Sequence, residues 1–146
     1  MKFTQERDFS SHTIRAYRPG EISITLPAIL EAEKAQPVAV KSLTRSCIIS
    51  PKRLVEDWLP GSVEELHDSH LEEILHLEPE LVLLGTGPRQ QFPEPALLAL
   101  LLEQQIGVEV MDTAAACRTY NILMQEGRQV VAGLMLPSTV ATLKSS

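Results

Sequence analysis

Three stretches of the sequence hold residue types that could do chemistry. The first is Gly85-Thr86-Gly87-Pro88-Arg89-Gln90-Gln91. It follows a continuous apolar run and leads toward a helix, the place where open α/β sheets bind ligands. Glycines let the main chain approach a ligand and aim successive N–H groups at an anion, and Arg89 supplies a neutralising charge. The stretch is no dinucleotide fingerprint, since a third glycine is missing and Pro88 removes a donor. It is no P-loop either, because no Gly-Lys-Ser/Thr follows. Two readings stay open: a tight strand-to-loop turn and a ligand-facing loop.

The second stretch runs from Met111 to Asn121. Asp112 or Thr113 is placed to cap a helix, and Ala114-Ala115-Ala116 permits close packing against a sheet. Cys117 and Asn121 are four apart and share a face, and Arg118, Asn121 and Gln125 form a polar stripe at helical spacing. Asn121 stands among Tyr120, Ile122 and Leu123, so a buried amide there must find partners, either neighbouring loop backbone or a ligand. Cys117 would be a nucleophile only beside a base that lowered its pKa, and no histidine is near it in sequence. The third stretch, His67-x-x-His70 with Asp68, Glu72 and Glu73, has histidines spaced to share a metal on a helix. It lacks the His-Glu-x-x-His order of a hydrolytic zinc site, and a solvated acidic helix face is the better reading.

No Ser-His-Asp set and no glycine-flanked nucleophilic serine occurs, so no catalytic residue, metal or cofactor is assigned. The candidate ligand-binding set is Gly85, Thr86, Gly87, Arg89, Thr113, Arg118, Tyr120 and Asn121. It would form a pocket where the glycine turn meets the start of a 114–126 helix. A helix N-terminus beside such a turn favours an anion or a carboxylate.

These residues need a scaffold, and composition bounds it. The 146 residues are 44% hydrophobic and 22% charged, which is a folded rather than a disordered balance. This length supports one core without a second lobe. A net charge of -6 argues against non-specific binding to nucleic acid or anionic lipid. The most apolar stretch, Ala96 to Leu102, would cover about 10 Å as a helix, far short of a bilayer. No signal-peptide core or Arg-rich, transit-like segment begins the chain. A cytoplasmic location without membrane insertion is expected, with Cys47 and Cys117 as free thiols.

Along the chain, Thr13–Tyr17 and Glu21–Leu26 alternate around Arg18-Pro19-Gly20. That is a hairpin with Ile14, Ala16, Ile22, Ile24 and Leu26 facing inward. Val38–Lys41 and Cys47–Ser50 read as strands, and Trp58 as an anchor under a loop. Helical spacing runs from Ser62 to Leu77. Glu80–Gly85 reads as a central buried strand, and a helix from Pro95 to about Gln105 has Gly107 as its C-cap. A strand Val108–Met111, the helix 114–126 and a strand Gln129–Leu136 follow. The expectation is a single α/β domain over 13–136, with a loosely ordered N-terminus over 1–12 and a partly ordered tail over 137–146. The alternating second half implies a largely parallel sheet.

Taken in order, certain residues are similar to those of the small α/β proteins called the Mth-type domain family, a family of unknown function. They are Ile14, Tyr17, Gly20 and Ile24, then Trp58, then Pro79-Glu80-Leu81 with Leu84-Gly85-Thr86-Gly87. They continue with Gly107 to Thr113, Ala115-Ala116, Arg118-Thr119-Tyr120-Asn121 and Glu126-Gly127-Arg128. The family includes a mitochondrial assembly factor for respiratory complex I and an adipogenesis-associated vertebrate protein. The resemblance implies three layers: a central mixed β-sheet, helices on one face, and a small sheet plus helix on the other. It also implies no established catalytic activity. The function expected is a non-catalytic accessory or assembly factor that binds a protein partner, such as a membrane-complex subunit. The alternative is a small anionic-ligand-binding protein or enzyme using the pocket above.

Overall fold

In a computed structural model, the structure describes residues 11–27, 30–31, 34–35 and 39–137. Alternation builds the first elements. Strands β1 (Thr13–Arg18) and β2 (Glu21–Thr25) pair antiparallel across Pro19-Gly20. Gly20 has φ 85°, as the third residue of a type II turn requires. The register slips by one residue between Ile14 and Ala16, a β-bulge at Arg15. The bulge resets the alternation, so Ile14 faces the core while Ala16, expected inside, is exposed and Tyr17 packs against the core instead.

Two short antiparallel strands, β3 (Leu30–Glu31) and β4 (Lys34–Ala35), form a separate ribbon. Strand β5 (Val40–Leu43) adds antiparallel to β2, giving a three-stranded sheet ordered β1-β2-β5. Strands β6 (Cys47–Ile49) and β7 (Leu54–Val55) pair antiparallel.

The helical stretch expected over 62–77 is broken. A 3-10 turn, Val63–Glu65, is followed by extended Leu66 (φ -80°, ψ 128°), and α1 starts only at Asp68 and runs to Leu75. The break lets Leu66 bury its side chain and makes His67 the N-cap. A reciprocal capping box then joins the His67 and His70 side chains to each other's backbone N–H, satisfying donors that a helix start leaves open.

Strand β8 (Leu81–Gly85) is followed by α2 (Pro95–Leu102) and β9 (Gly107–Met111). Helix α2 stops earlier than expected. Gln105 takes the left-handed conformation (φ 63°), and Gly107 is not the C-cap but the first residue of β9. Helix α3 (Thr113–Gln125) is N-capped by Asp112, whose side chain accepts from Ala115 N–H. Strand β10 (Val130–Leu134) closes the order. The five-stranded sheet runs β7-β6-β10-β8-β9, with β10, β8 and β9 parallel and β6 and β7 antiparallel, so it is mixed.

Three layers result. One face of the five-stranded sheet carries α1, α2 and Trp58 over a core that includes Ile48, Leu71, Ile74, Val82, Leu84 and Val131. The other carries α3 and the three-stranded sheet over a second core that includes Ile22, Ile24, Leu83, Ala116, Tyr120 and Leu134. Two glycines permit this closeness. A Cβ on Gly133 would lie 2.7 Å from the Trp58 ring, and one on Gly85 would lie 3.0 Å from the Thr113 Cα. The chain ahead of β1 corrects part of the loose-terminus expectation. Ser11 and His12 are buried, and His12 N–H donates to Pro51 O at 2.9 Å. The rest of that terminus, residues 1–10, and residues 138–146 of the expected tail lie outside the described residues.

Candidate functional site

The Gly85–Gly87 loop emerges from the C-terminal end of β8 onto the start of α3. Thr86 N–H donates to Met111 O at 2.9 Å, holding the loop against the end of β9. The Thr86 hydroxyl donates to Arg89 O at 2.6 Å and accepts from Gln91 N–H at 3.1 Å, which curls Pro88–Gln91 back over it. Gly87 N–H donates to Thr113 Oγ1 at 2.8 Å, and that hydroxyl donates to Met135 O at 2.9 Å. Thr113 N–H donates to Gly87 O, and Met135 N–H to Gly85 O, both at 2.9 Å. The loop, the first turn of α3 and the chain leaving β10 are thus sewn together. Three donors at this helix start, on Gly87, Thr113 and Ala115, are engaged within the chain.

Gly85, Thr86, Gly87 and Thr113 therefore meet in one buried knot, with Arg89 exposed at the tip of the loop. The other three candidates stand farther along α3. Tyr120 is fully buried, and its hydroxyl donates to His12 O at 2.9 Å. Asn121 grips β1: its Oδ1 accepts from Ile14 N–H at 2.9 Å and its Nδ2 donates to Ile14 O at 2.7 Å. Arg118 is exposed.

Between β1 and α3 runs an open groove of about 260 Å³, lined by Ile14, Arg15, Ala16, Tyr17, Ala114, Cys117, Arg118 and Asn121. Of the sequence candidates only Arg118 and Asn121 reach it. The β1 residues were missed because the bulge that presents them depends on pairing register, and Ala114 because the helix start was read only for close packing. Burial pushes the Cys117 thiol up to about 12, outweighing the opposing pull of the Arg118 charge. Cys47 is likewise held at about 12 by burial first and by Cys117 second. Both therefore stay thiols at neutral pH, and the thiolate that nucleophilic chemistry needs is suppressed. The Tyr17 phenol is also raised, by partial burial and then by Cys117 and Asp112.

The acidic face expected here is solvated, with Asp68 and Glu72 exposed, while His70 is buried at the core edge and the His67/His70 pair holds the helix start. His70 Nδ1 accepts from His67 N–H at 2.9 Å, and His70 O accepts from Trp58 Nε1 at 3.2 Å. Among the described residues no three His, Cys, Asp or Glu side chains are grouped to hold a metal ion.

Residues 14–135 match the family described as "Protein of unknown function (DUF498/DUF598)". The chain belongs to this family. The chain is 36% identical over 101 residues to NADH dehydrogenase [ubiquinone] 1 alpha subcomplex assembly factor 3 of Bos taurus, covering 68% of this chain and 54% of that protein. It spans about half the length of the curated assembly factors it matches. Among solved structures, a protein of Bordetella parapertussis superposes with a TM-score of 0.72 at 35% identity, covering 88% of this chain and 98% of that one. A Mth938-like domain of Bordetella pertussis also gives a TM-score of 0.72, at 26% identity, covering 97% and 98% respectively. The family, and the three-layer arrangement that the resemblance implied, both stand. Among the described residues no helix is long and apolar enough to cross a membrane.

Proposed function

We propose that this chain is a non-catalytic accessory protein that binds a protein partner during assembly of a respiratory membrane complex of the NADH dehydrogenase type. Its relation to proteins named as assembly factors of that enzyme supports the reading. The observation that carries it is the use made of the polar residues. Thr86, Thr113, Tyr120 and Asn121 all hydrogen-bond the chain's own backbone, so these four polar candidates serve the fold rather than a nucleophile, base and orienting set. The same bonding weakens the alternative of an anion held at the Gly85–Gly87 loop. We place the protein in the cytoplasm, a reducing setting that suits two buried free thiols.

The test is recovery of the tagged chain from detergent-solubilised membranes of its own source, with co-purifying proteins identified by mass spectrometry. Stoichiometric NADH dehydrogenase subunits are expected, together with a stalled subcomplex when the chain is deleted. Normal assembly in the deletion strain overturns the reading. So does turnover of a defined substrate that is lost on mutating the loop.

A further inference from the structure

We propose that the groove between β1 and α3 receives an extended acidic segment of the protein partner, added as a strand to the free edge of β1 at Tyr17. This rests on the protein-binding reading above and names the surface that would serve it. The first observation is topological. Among the described residues strand β1 pairs only with β2, and its other edge carries no strand. Along that edge Ile14 already has a surrogate strand, because the Asn121 amide takes both its N–H and its C=O. The Arg18–Glu21 pair closes the two-residue turn, and Tyr17 stands opposite Ile22 one step away. In an antiparallel ladder, alternate pairs turn their N–H and C=O outward. Tyr17 is therefore the next residue to present both groups away from β2, on the strand edge that lines the groove. A partner strand would continue the ladder that Asn121 begins, the mode by which extended peptides join exposed sheet edges.

The second observation is charge. Arg15 and Arg118 both line the groove, both are exposed, and neither makes an ion pair within 4.0 Å among the described residues. The two guanidinium groups stand beside an apolar floor of Ile14, Ala16, Tyr17 and Ala114, and they complement carboxylates. Asp112 is the opposing charge. Its carboxylate caps α3 and acts electrostatically on Tyr17 and Cys117, so the partner's acidic groups belong toward Arg118, away from the helix start. The third observation is size. At about 260 Å³ the groove is open and falls below the roughly 300–1,000 Å³ typical of small-molecule sites. It suits side chains of a strand lying across it.

The experiment selects random nine-residue peptides displayed on phage against the full chain, with counter-selection against Arg118→Glu. The recovered peptides are expected to alternate Asp or Glu with apolar residues. A synthetic copy of the best should shift backbone amide resonances of 15–18 and 117–121 and bind Arg118→Glu at least about tenfold more weakly. N-methylation of the peptide residue opposite Tyr17 should abolish binding, a readout that leaves the protein's own fold untouched. The proposal is overturned if no peptide is recovered, if the recovered peptides have no acidic bias, or if the shifts fall on another face. Insensitivity to N-methylation also overturns it, as does butyrate binding as tightly as the peptide, which would mark a simple anion site. If membrane subunits co-purify equally well with Arg118→Glu, the assembly reading survives and this groove does not. If the peptide binds and no such subunits are recovered, the groove survives and the choice of complex fails.

Discussion

Asn121 holds Ile14 by both of its main-chain groups, accepting from the N–H at 2.9 Å and donating to the C=O at 2.7 Å across 107 residues of sequence. One side chain thereby joins α3 to the edge of the three-stranded sheet and fixes the distance between them just ahead of the bulge at Arg15. The bond pair is part-buried, so losing it leaves two backbone groups with restricted access to water.

Replacing that amide tests how much of the small sheet's docking depends on it. Asn121→Ala is expected to lower stability by about 2–3 kcal/mol, the sum of two unmade bonds to partly buried groups. Urea denaturation gives the number. A loss below about 0.5 kcal/mol would mean that water replaces the amide freely, and the strand-like role assigned to Asn121 would fall.

The Asn121 amide, for which the sequence offered neighbouring loop backbone or a ligand, bonds the backbone of a strand edge. Periodicity identified most strands and helices because apolar residues recur at 2.0 and 3.6 whenever one face is buried. It failed where tertiary contacts overrode the period. Ala16 alternates correctly in sequence, yet the bulge at Arg15 turns it outward, because register is set by the partner strand. Leu66 fits the helical stripe, yet it buries best in extended backbone, so the helix restarts at Asp68. The two glycines in closest contact were legible only in part. Gly85 marked the end of the buried strand, while Gly133 sat inside a strand with no sign that Trp58 lay across it. The surroundings of the candidate site residues were the least legible. The Asn121 amide alone was read as a group needing partners, and hydrogen-bond partners as distant as Met135 and His12 leave no trace in local spacing.

The contact between Trp58 and Gly133 gives a second prediction. A methyl group on residue 133 would sit 2.7 Å from the indole and 3.0 Å from Ile74 Cδ1, both in a filled core. Gly133→Ala should therefore destabilise by about 1–3 kcal/mol through overpacking. Trp58→Leu is destabilising by itself, through lost volume and the lost bond to His70 O. The double variant should be more stable than the sum of the two losses, with a coupling of at least about 0.5 kcal/mol. Additive losses would show that the methyl group is resisted by something other than the ring.

The two thiols predict a pH effect whose sign is set by burial. Cys47 and Cys117 are both held near 12 in the folded protein, against an ordinary value of 9.0. A raised folded pKa means that the unfolded chain ionises first. Their contribution to stability is accordingly complete below about pH 9 and is lost as the pH rises from there toward about 12. Denaturation midpoints should fall across that window, and Cys47→Ala should flatten the fall even if it lowers the midpoint at pH 7. At pH 8 neither thiol should react with a disulfide reagent faster than the chain opens. Rapid stoichiometric labelling of the native protein would contradict the burial assigned to both.

Thr113 is where the ligand and structural readings of the loop diverge most. Its hydroxyl is both acceptor, from Gly87 N–H, and donor, to Met135 O, and the residue is fully buried. Thr113→Val preserves volume and removes both bonds, leaving a buried N–H and a buried C=O without partners. The expected cost is about 2–4 kcal/mol, because each unsatisfied group loses its hydration without recompense. Thr113→Ser retains the hydroxyl and should recover most of that loss, less the packing of one methyl group. Thr86→Val follows the same logic on the other side of the knot, where its hydroxyl serves Arg89 O and Gln91 N–H. Were the loop built around an absent anion, the valine variants would fold nearly as well as the parent and phosphate would raise the melting temperature of the parent alone. Were it built to hold β8, α3 and the end of β10 together, all three hydroxyl-dependent effects would appear in buffer free of any anion.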